Sequence, residues 1–384
     1  MLRVALYSHD TFGLGHLRRS LKLAAHIRAY FGAVDGLLLT GSAWHSLFAC
    51  PPGFRIAPLS PVSKEAAGSY RSREPGVEFA EVLRRRRERI SRALATFKPH
   101  LFVVDNVPCG LHGEVLPAVR RLQRRGTRIV LALRDVLDDL DLIRQEWSEL
   151  GAGKAVAEHF DEIWVFGDAQ DAATLIRRGP LGGVASKVHS CGRIGQLPDS
   201  VSPAPARPST GRPLVLVTGG GGRDASPLIS TYLDAVSAFR PPVTSHVVLG
   251  PDFPAAERPA RPPAELRTTL ADFVPDLPER IAQSNVVVSM AGYNTVCEIL
   301  ASGRPAVLVP RVTPRQEQLL RARRWDREGR ARLLDPRDLT PEILWHAVHE
   351  QLSTPALPPV ETNGGVVAAA RAAALLGVPT GGVA

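Results

Sequence analysis

Short apolar runs alternate with amphipathic stretches along this 384-residue chain, and that alternation constrains the fold more than any other feature. "RVALYS", "GLLLT", "HLFVVD", "RIVLAL" and "EIWVF" are predominantly apolar, as strands buried on both faces of a parallel sheet must be. Amphipathic segments such as 76–97 and 111–125 lie between them, which is βαβ grammar with right-handed crossovers and an open, doubly wound sheet. The pattern breaks once, at "LPDSVSPAPARPSTGRP", where five prolines make a semi-rigid linker. It then restarts with "PLVLVT", "HVVLG", "VVVSM" and "PAVLVP". The length also exceeds what one hydrophobic core usually serves. The expected organisation is an α/β domain over 1–197, a Pro-rich linker over 198–213, a second α/β domain over 214–360, and a C-terminal helix and loose tail over 361–384. Two such sheets are expected to face each other across a cleft, at the carboxyl ends of their strands, where open parallel sheets bind ligands.

Composition narrows the class. The net charge is +9, and only five of the 47 basic residues are lysines. The longest basic run, "RRRRERISR" from Arg84 to Arg92, lies in a helical pattern with Phe79, Leu83, Ile90 and Leu94 on its apolar side. No aromatics interleave with it as a base-stacking surface requires, so a solvated face is expected and nucleic acid is not. Such a face could rest against anionic lipid headgroups. No apolar run reaches the length of a spanning helix, and no signal peptide opens the chain. Cys50, Cys109, Cys191 and Cys297 are scattered without CxxC spacing, which predicts reduced thiols and no zinc site. A cytoplasmic protein, with peripheral contact at the inner face of the membrane, fits these features.

Two glycine-bearing turns mark the second half. "LVLVTGGGGRDAS" runs from a strand through Gly219 to Gly222 towards a helix, and amides freed of side chains beside a helix N-terminus can receive phosphate oxygens. It is neither a Walker A loop nor a dinucleotide fingerprint. "MAGYNT" repeats the arrangement, with Gly292 between strand and helix. Glu298 follows one turn later and could accept two hydrogen bonds from a vicinal diol. "RQEQ", Arg315 to Gln318, opens another helix with two amides and a carboxylate, the chemistry of a sugar-hydroxyl reader.

This half resembles the donor-binding domain of GT-B glycosyltransferases of the peptidoglycan N-acetylglucosaminyltransferase type. The resemblance rests on a buried strand, then Ala291-Gly292 and Thr295, then "EILASGRPAVLVP", then the Gln/Glu cluster. It implies a GT-B fold of two Rossmann-like domains and a nucleotide-diphosphate sugar, with a UDP-sugar favoured, as co-substrate rather than any resident cofactor. It further implies that Gly219, Gly220 and Gly221 approach the diphosphate with help from Gly292, Asn294 and Thr295. Glu298 would hold the ribose, the main chain at Val274 would read the base, and Gln316, Glu317 and Gln318 would address the sugar. A basic residue usually accompanies the interdomain crossover; "CGRIGQ" offers Arg193 in a different register. Retaining GT-B enzymes often carry glutamates eight apart here, whereas Met290 stands eight before Glu298, which favours an inverting mechanism.

The first half offers a base. "GLGHLRRSLKLA" sets His16 at the start of a helix, after Gly13 and Gly15, and resembles the acceptor-side loop of the same enzymes. The positive end of the helix dipole leaves a neutral imidazole available to accept a proton. Inverting transfer needs such a base to deprotonate the acceptor hydroxyl, and an orienting carboxylate improves it. Asp105, at the end of "HLFVVD", is that carboxylate. The acceptor, unidentified by sequence, is a small molecule or a lipid-linked hydroxyl. Arg18, Arg19 and Asp10 lie in the same loop without an assigned role. No histidine pair has metal-ligand spacing with a third ligand, and no metal is expected. Two alternatives stand beside transfer. "GLGHLRRSL" also resembles the "GxGHxxRxL" loop of a nucleotide-sugar hydrolase of the same fold, where the histidine activates water. A sugar-nucleotide-binding or nucleic-acid-binding protein without turnover is the other.

Overall fold

The computed structural model describes residues 1–10, 13–64, 69–197 and 211–378. The expected linker falls largely outside them, over 198–210, as does the tail from 379. The chain divides into one unit made of 1–195 with 362–384, and a second made of 196–361.

In chain order the first unit holds β1 (Leu2–Ser8), α1 (Gly15–Phe31), β2 (Val34–Thr40), β3 (Phe54–Pro58), a small hairpin of β4 (Val62–Lys64) and β5 (Tyr70–Ser72), and α2 (Phe79–Phe97). There follow β6 (Leu101–Asp105), α3 (Leu116–Gln123), β7 (Arg128–Arg134), α4 (Leu140–Glu149), α5 (Ala152–His159), β8 (Glu162–Phe166), α6 (Ala169–Arg177) and β9 (Val188–Ser190). The main sheet is ordered β3-β2-β1-β6-β7-β8-β9 and every pairing in it is parallel. β6 and β8 are buried along their whole length, which is why they read as unbroken apolar runs. The edge strands β3 and β9, only partly buried, carry no such signal.

The second unit holds β10 (Leu214–Thr218), α7 (Ser226–Phe239), β11 (Thr244–Val248), β12 (Thr268–Ala271), α8 (Leu277–Gln283), β13 (Val286–Ser289) and α9 (Tyr293–Ser302). It continues with β14 (Ala306–Leu308), α10 (Glu317–Arg327), β15 (Arg332–Leu333) and α11 (Pro341–Ser353). Its sheet runs β12-β11-β10-β13-β14-β15, again all parallel. Both sheets therefore reverse strand order once, between β1 and β6 in the first and between β10 and β13 in the second. In open α/β sheets the crevice beyond the strand ends at such a reversal is where ligands sit.

The last helix, α12 (Gly364–Leu376), returns to the first unit and packs on α1. Its alanines and glycines permit close approach: a Cβ on Gly365 would stand 2.0 Å from the His26 ring. Arg371 pairs with the buried Glu162 of β8, and Trp164 donates to the same carboxylate at 2.7 Å.

The arginine run departs from the solvated face expected of it. On α2 the buried positions are Val82, Arg86, Ile90, Leu94 and Phe97, at near-helical spacing. Its other arginines face solvent, but the Arg86 side chain is fully enclosed, with Glu114 as its counterion. Arg86 donates to both oxygens of that carboxylate, at 2.8 and 2.7 Å, and to the Ser60 carbonyl at 2.8 Å. A fully enclosed charge survives only when paired and hydrogen-bonded; removing one partner leaves the other uncompensated. Arg86→Met should therefore lower unfolding free energy by about 3–5 kcal/mol in denaturant titration, and adding Glu114→Gln should recover part of the loss.

Candidate active site

β1 and β6 are neighbours, with Tyr7 opposite Val104, so the loop leaving β1 and the last residue of β6 emerge side by side. Gly13 takes a left-handed backbone (φ +63°) just before α1 begins at Gly15. His16 then lies in the first turn of α1, and its Nδ1 stands 2.6 Å from Asp105 Oδ2. The His16 side chain is 14% exposed and that of Asp105 6%, so the pair is shielded from solvent competition without being sealed. A neutral imidazole donating from Nδ1 leaves Nε2 as the proton acceptor.

Arg19 completes the cluster. It lies three residues after His16 on the same helical face and donates from Nε to Asp105 Oδ1 at 3.0 Å and from Nη2 to the same oxygen. Its Nη2 also lies 3.3 Å from His16 Nδ1. Burial pushes the Asp105 carboxyl up, but the Arg19 guanidinium and His16 imidazole outweigh it and hold the group well below the usual carboxylate range. Asp105 thus remains a carboxylate fixed on both sides.

Further buried groups surround this pair. The Tyr7 hydroxyl donates to Glu114 Oε1 at 2.6 Å. Burial and the neighbouring Glu114 keep the phenol well above its ordinary value, so its one proton is committed. The 3.3 Å contact from His9 Nδ1 to the Tyr7 oxygen must then be donated by the imidazole. The His9 ring stands edge-to-face with His16, centroids 6.0 Å apart. Asp10, also buried, accepts from Thr40 Oγ1; burial raises its carboxyl, opposed by His16. Of the three loop residues without a role in the sequence, Arg19 and Asp10 thus acquire neighbours at the site. Arg193 is bound elsewhere, to Asp168 and Asp171 of the α6 capping box.

In the second unit the two glycine turns emerge from β10 and β13, which are adjacent, with Thr218 opposite Ser289. The glycine run is wound tightly. Gly219 N–H donates to the Val248 carbonyl at 3.1 Å, Gly220 to Thr218 Oγ1 at 3.2 Å and Gly222 to the Gly219 carbonyl at 3.2 Å. A Cβ on Gly219 would meet that of Ala225 at 2.2 Å, so glycine is required there by packing. The anion-facing amides expected of this run are therefore reduced, and Gly221 is the residue outside those three bonds. At the other turn Gly292 is the N-cap of α9, and a Cβ there would meet nothing within 4 Å. The helix start there carries Asn294 and Thr295, both buried.

Glu298 lies on α9 and is 5% exposed. Val274 follows β12 and is buried in the same apolar cluster as Leu216, Val248 and Leu277. The Gln/Glu cluster divides: Gln316 is exposed at the N-cap of α10, Glu317 is buried and Gln318 half-buried. Arg311 holds the last two. Its Nη2 lies 2.5 Å from Glu317 Oε1 and its main-chain N–H donates to Gln318 Oε1 at 3.1 Å. Among the described residues no three His, Cys, Asp or Glu side chains converge to hold a metal ion. No described helix is long and apolar enough to cross a membrane.

Removing Arg19 tests the electrostatics of Asp105. A carboxyl depressed in the folded state stabilises that state above its unfolded pKa of about 4, and the contribution fades as pH falls through the folded value. The stability deficit of Arg19→Met, read by urea unfolding, should be largest near neutral pH and narrow as pH drops below about 4.

Comparisons with known proteins bear on the fold and on the second unit's sequence. Residues 214–369 match the glycosyltransferase family 28 C-terminal domain. A UDP-N-acetylglucosamine--N-acetylmuramyl-(pentapeptide) pyrophosphoryl-undecaprenol N-acetylglucosamine transferase of Corynebacterium efficiens is 33% identical over 147 residues, 38% of this chain and 39% of that protein. The enzyme of the same name from Bradyrhizobium sp. is 33% identical over 109 residues, 27% of this chain and 30% of its own length. The matches thus span under two-fifths of these relatives. Among solved structures, the glycosyltransferase SnogD from Streptomyces nogalater superposes with a TM-score of 0.62 at 16% identity, covering 98% of this chain and all of that one. Acinetobacter baumannii MurG gives 0.55 at 13% identity, over 99% and 96% of the two chains. Residues 214–369 thus resemble a glycosyltransferase family 28 C-terminal domain, in a chain of GT-B fold similar to the peptidoglycan N-acetylglucosaminyltransferase group.

Proposed function

We propose that this chain is an inverting glycosyltransferase that moves a sugar from a nucleotide-diphosphate sugar, a UDP-sugar in the favoured case, to a hydroxyl acceptor. The observation that carries the reading is the His16–Asp105 pair at the sheet reversal of one unit, in a chain whose other unit carries the family 28 domain. His16 Nε2 takes the acceptor proton as the acceptor oxygen bonds to the anomeric carbon. The bond from that carbon to the diphosphate oxygen breaks in the same displacement, and the diphosphate leaves with the electron pair. Asp105 keeps the proton on Nδ1 beforehand and stabilises the imidazolium afterwards; Arg19 keeps Asp105 ionised and in place. Charge on the leaving diphosphate is met by amides at the start of α9 and at Gly221, the preorganised type of stabilisation. Glu298 binds the ribose, the main chain at Val274 the base, and Gln316, Glu317 and Gln318 the sugar. The relatives' names specify a lipid-pyrophosphoryl acceptor; for this chain a lipid-linked hydroxyl, reached by peripheral contact with a membrane, follows by analogy.

Arg19 favours a second reading, because it occupies the arginine position of the hydrolase-like "GxGHxxRxL" loop. There His16 would activate water in place of an acceptor. Product analysis with donor alone separates the two: rapid, complete sugar release supports hydrolysis, and slow release supports transfer.

A thermal-shift screen across nucleoside diphosphates and their sugars should raise the melting temperature for one base, since ligands of the native state stabilise it. His16→Ala should retain that shift and lose roughly 10²–10⁴-fold in turnover. A variant that loses both, or neither, would overturn the assignment of His16 as base.

A further inference from the structure

The reading above leaves Arg311, a charged group beside the sugar-reading cluster, without a role. Arg311 lies between β14 and α10, and its guanidinium forks. Nη1 donates to Asp224 Oδ2 at 3.2 Å, two residues past the glycine run, while Nη2 meets Glu317 Oε1 at 2.5 Å. Its side chain is 12% exposed, that of Glu317 5% and that of Asp224 34%. Glu317 is therefore a nearly enclosed carboxylate with Arg311 as its counterion, and a carboxylate so placed needs one to stay charged. The same residue fixes Gln318 through its main chain: Oε1 accepts the Arg311 N–H at 3.1 Å, which assigns the carboxamide so that its NH₂ end remains for other partners. Gln318 thus keeps a hydrogen-bond donor and Glu317 an acceptor, on successive residues at the start of α10. That combination suits a hydroxyl, which both accepts and donates.

We propose that Arg311 is a positioning residue for sugar selection: it ties the glycine turn to the sugar reader and presets Glu317 and Gln318 for a hydroxyl-bearing hexose. The proposal rests on the reading that this cluster addresses the donor sugar. Arg311 itself need not touch the donor. A planar fork reaches two carboxylates in fixed directions, whereas lysine offers a point charge on a flexible stem, so Arg311→Lys keeps the charge and loses the geometry.

The test compares UDP with UDP-N-acetylglucosamine by isothermal titration, using the whole chain. In the unmodified protein the sugar nucleotide should bind more tightly than UDP alone. In Arg311→Lys, UDP affinity should hold within about twofold, and the advantage of the sugar nucleotide should fall about tenfold or vanish, the size expected for losing a charge-assisted hydrogen-bond pair. Asp224→Asn, which removes only the more exposed arm, should fold normally and show a smaller loss of the same sign. If both variants bind UDP normally and keep the full sugar advantage, Arg311 serves packing alone and the proposal is overturned. If the unmodified protein binds neither compound, the UDP-sugar reading fails first, and this one fails with it.

Discussion

Asp105 is the point on which the first unit's chemistry turns. It ends a strand buried along its whole length, a poor place for a carboxylate unless cations meet it there. Arg19 and His16, one helical turn apart on α1, supply two positive or proton-donating groups to its two oxygens. Burial alone would neutralise the carboxyl; the guanidinium reverses that, and the carboxylate faces the imidazole at Nδ1. Any chemistry assigned to His16 depends on this arrangement, because an uncharged or displaced Asp105 would release the ring to either tautomer.

Topology explains why these groups meet. Neither sheet contains an antiparallel pairing, and each reverses its strand order once. The loops on either side of a reversal diverge to opposite faces and leave room beyond the strand ends. In the first unit that room is bordered by His16 and Asp105, in the second by the glycine run and Gly292. The two glycine turns then solve different problems. Gly219 is small because Ala225 and the chain at Leu249 press against it, whereas Gly292 opens onto unfilled space at the start of a ten-residue helix. A run of glycines reads as a phosphate loop in sequence, but here much of its backbone is committed to the turn itself.

Enclosed charge recurs through the molecule. Arg86 and Glu114 cross the interior beneath the His9–His16 corner, and Tyr7 links that pair to His9. Arg311 does comparable work in the second unit, and Arg371 with Glu162 fastens the returning C-terminal helix. Such pairs add little to stability over apolar replacements, but they fix side-chain directions that apolar packing leaves free. In a chain with arginine as nearly all of its cations, the planar fork is the available device for that task.

Sequence alone determined the alternation of strands and helices, the presence of two α/β units, and the placing of His16 and Gly292 at helix starts and of Glu298 within the helix that follows Gly292. Each is a local property, carried by apolar runs, glycine turns and helical spacing. The pairing of His16 with Asp105 was legible as well, since the helix start that follows the first strand and the end of a later strand were expected on one side of the same sheet. Arg19 could have been found by the same periodicity, three residues after His16. What only the tertiary structure decided was the fate of individual charges. Arg86 looks like its exposed neighbours in "RRRRERISR", and nothing local reveals that Glu114, twenty-eight residues on, waits for it. Likewise the bond from Gly219 to the Val248 carbonyl and the return of α12 to the first unit depend on partners distant in the chain. Periodicity reports which way a residue faces, and only packing reports what it meets.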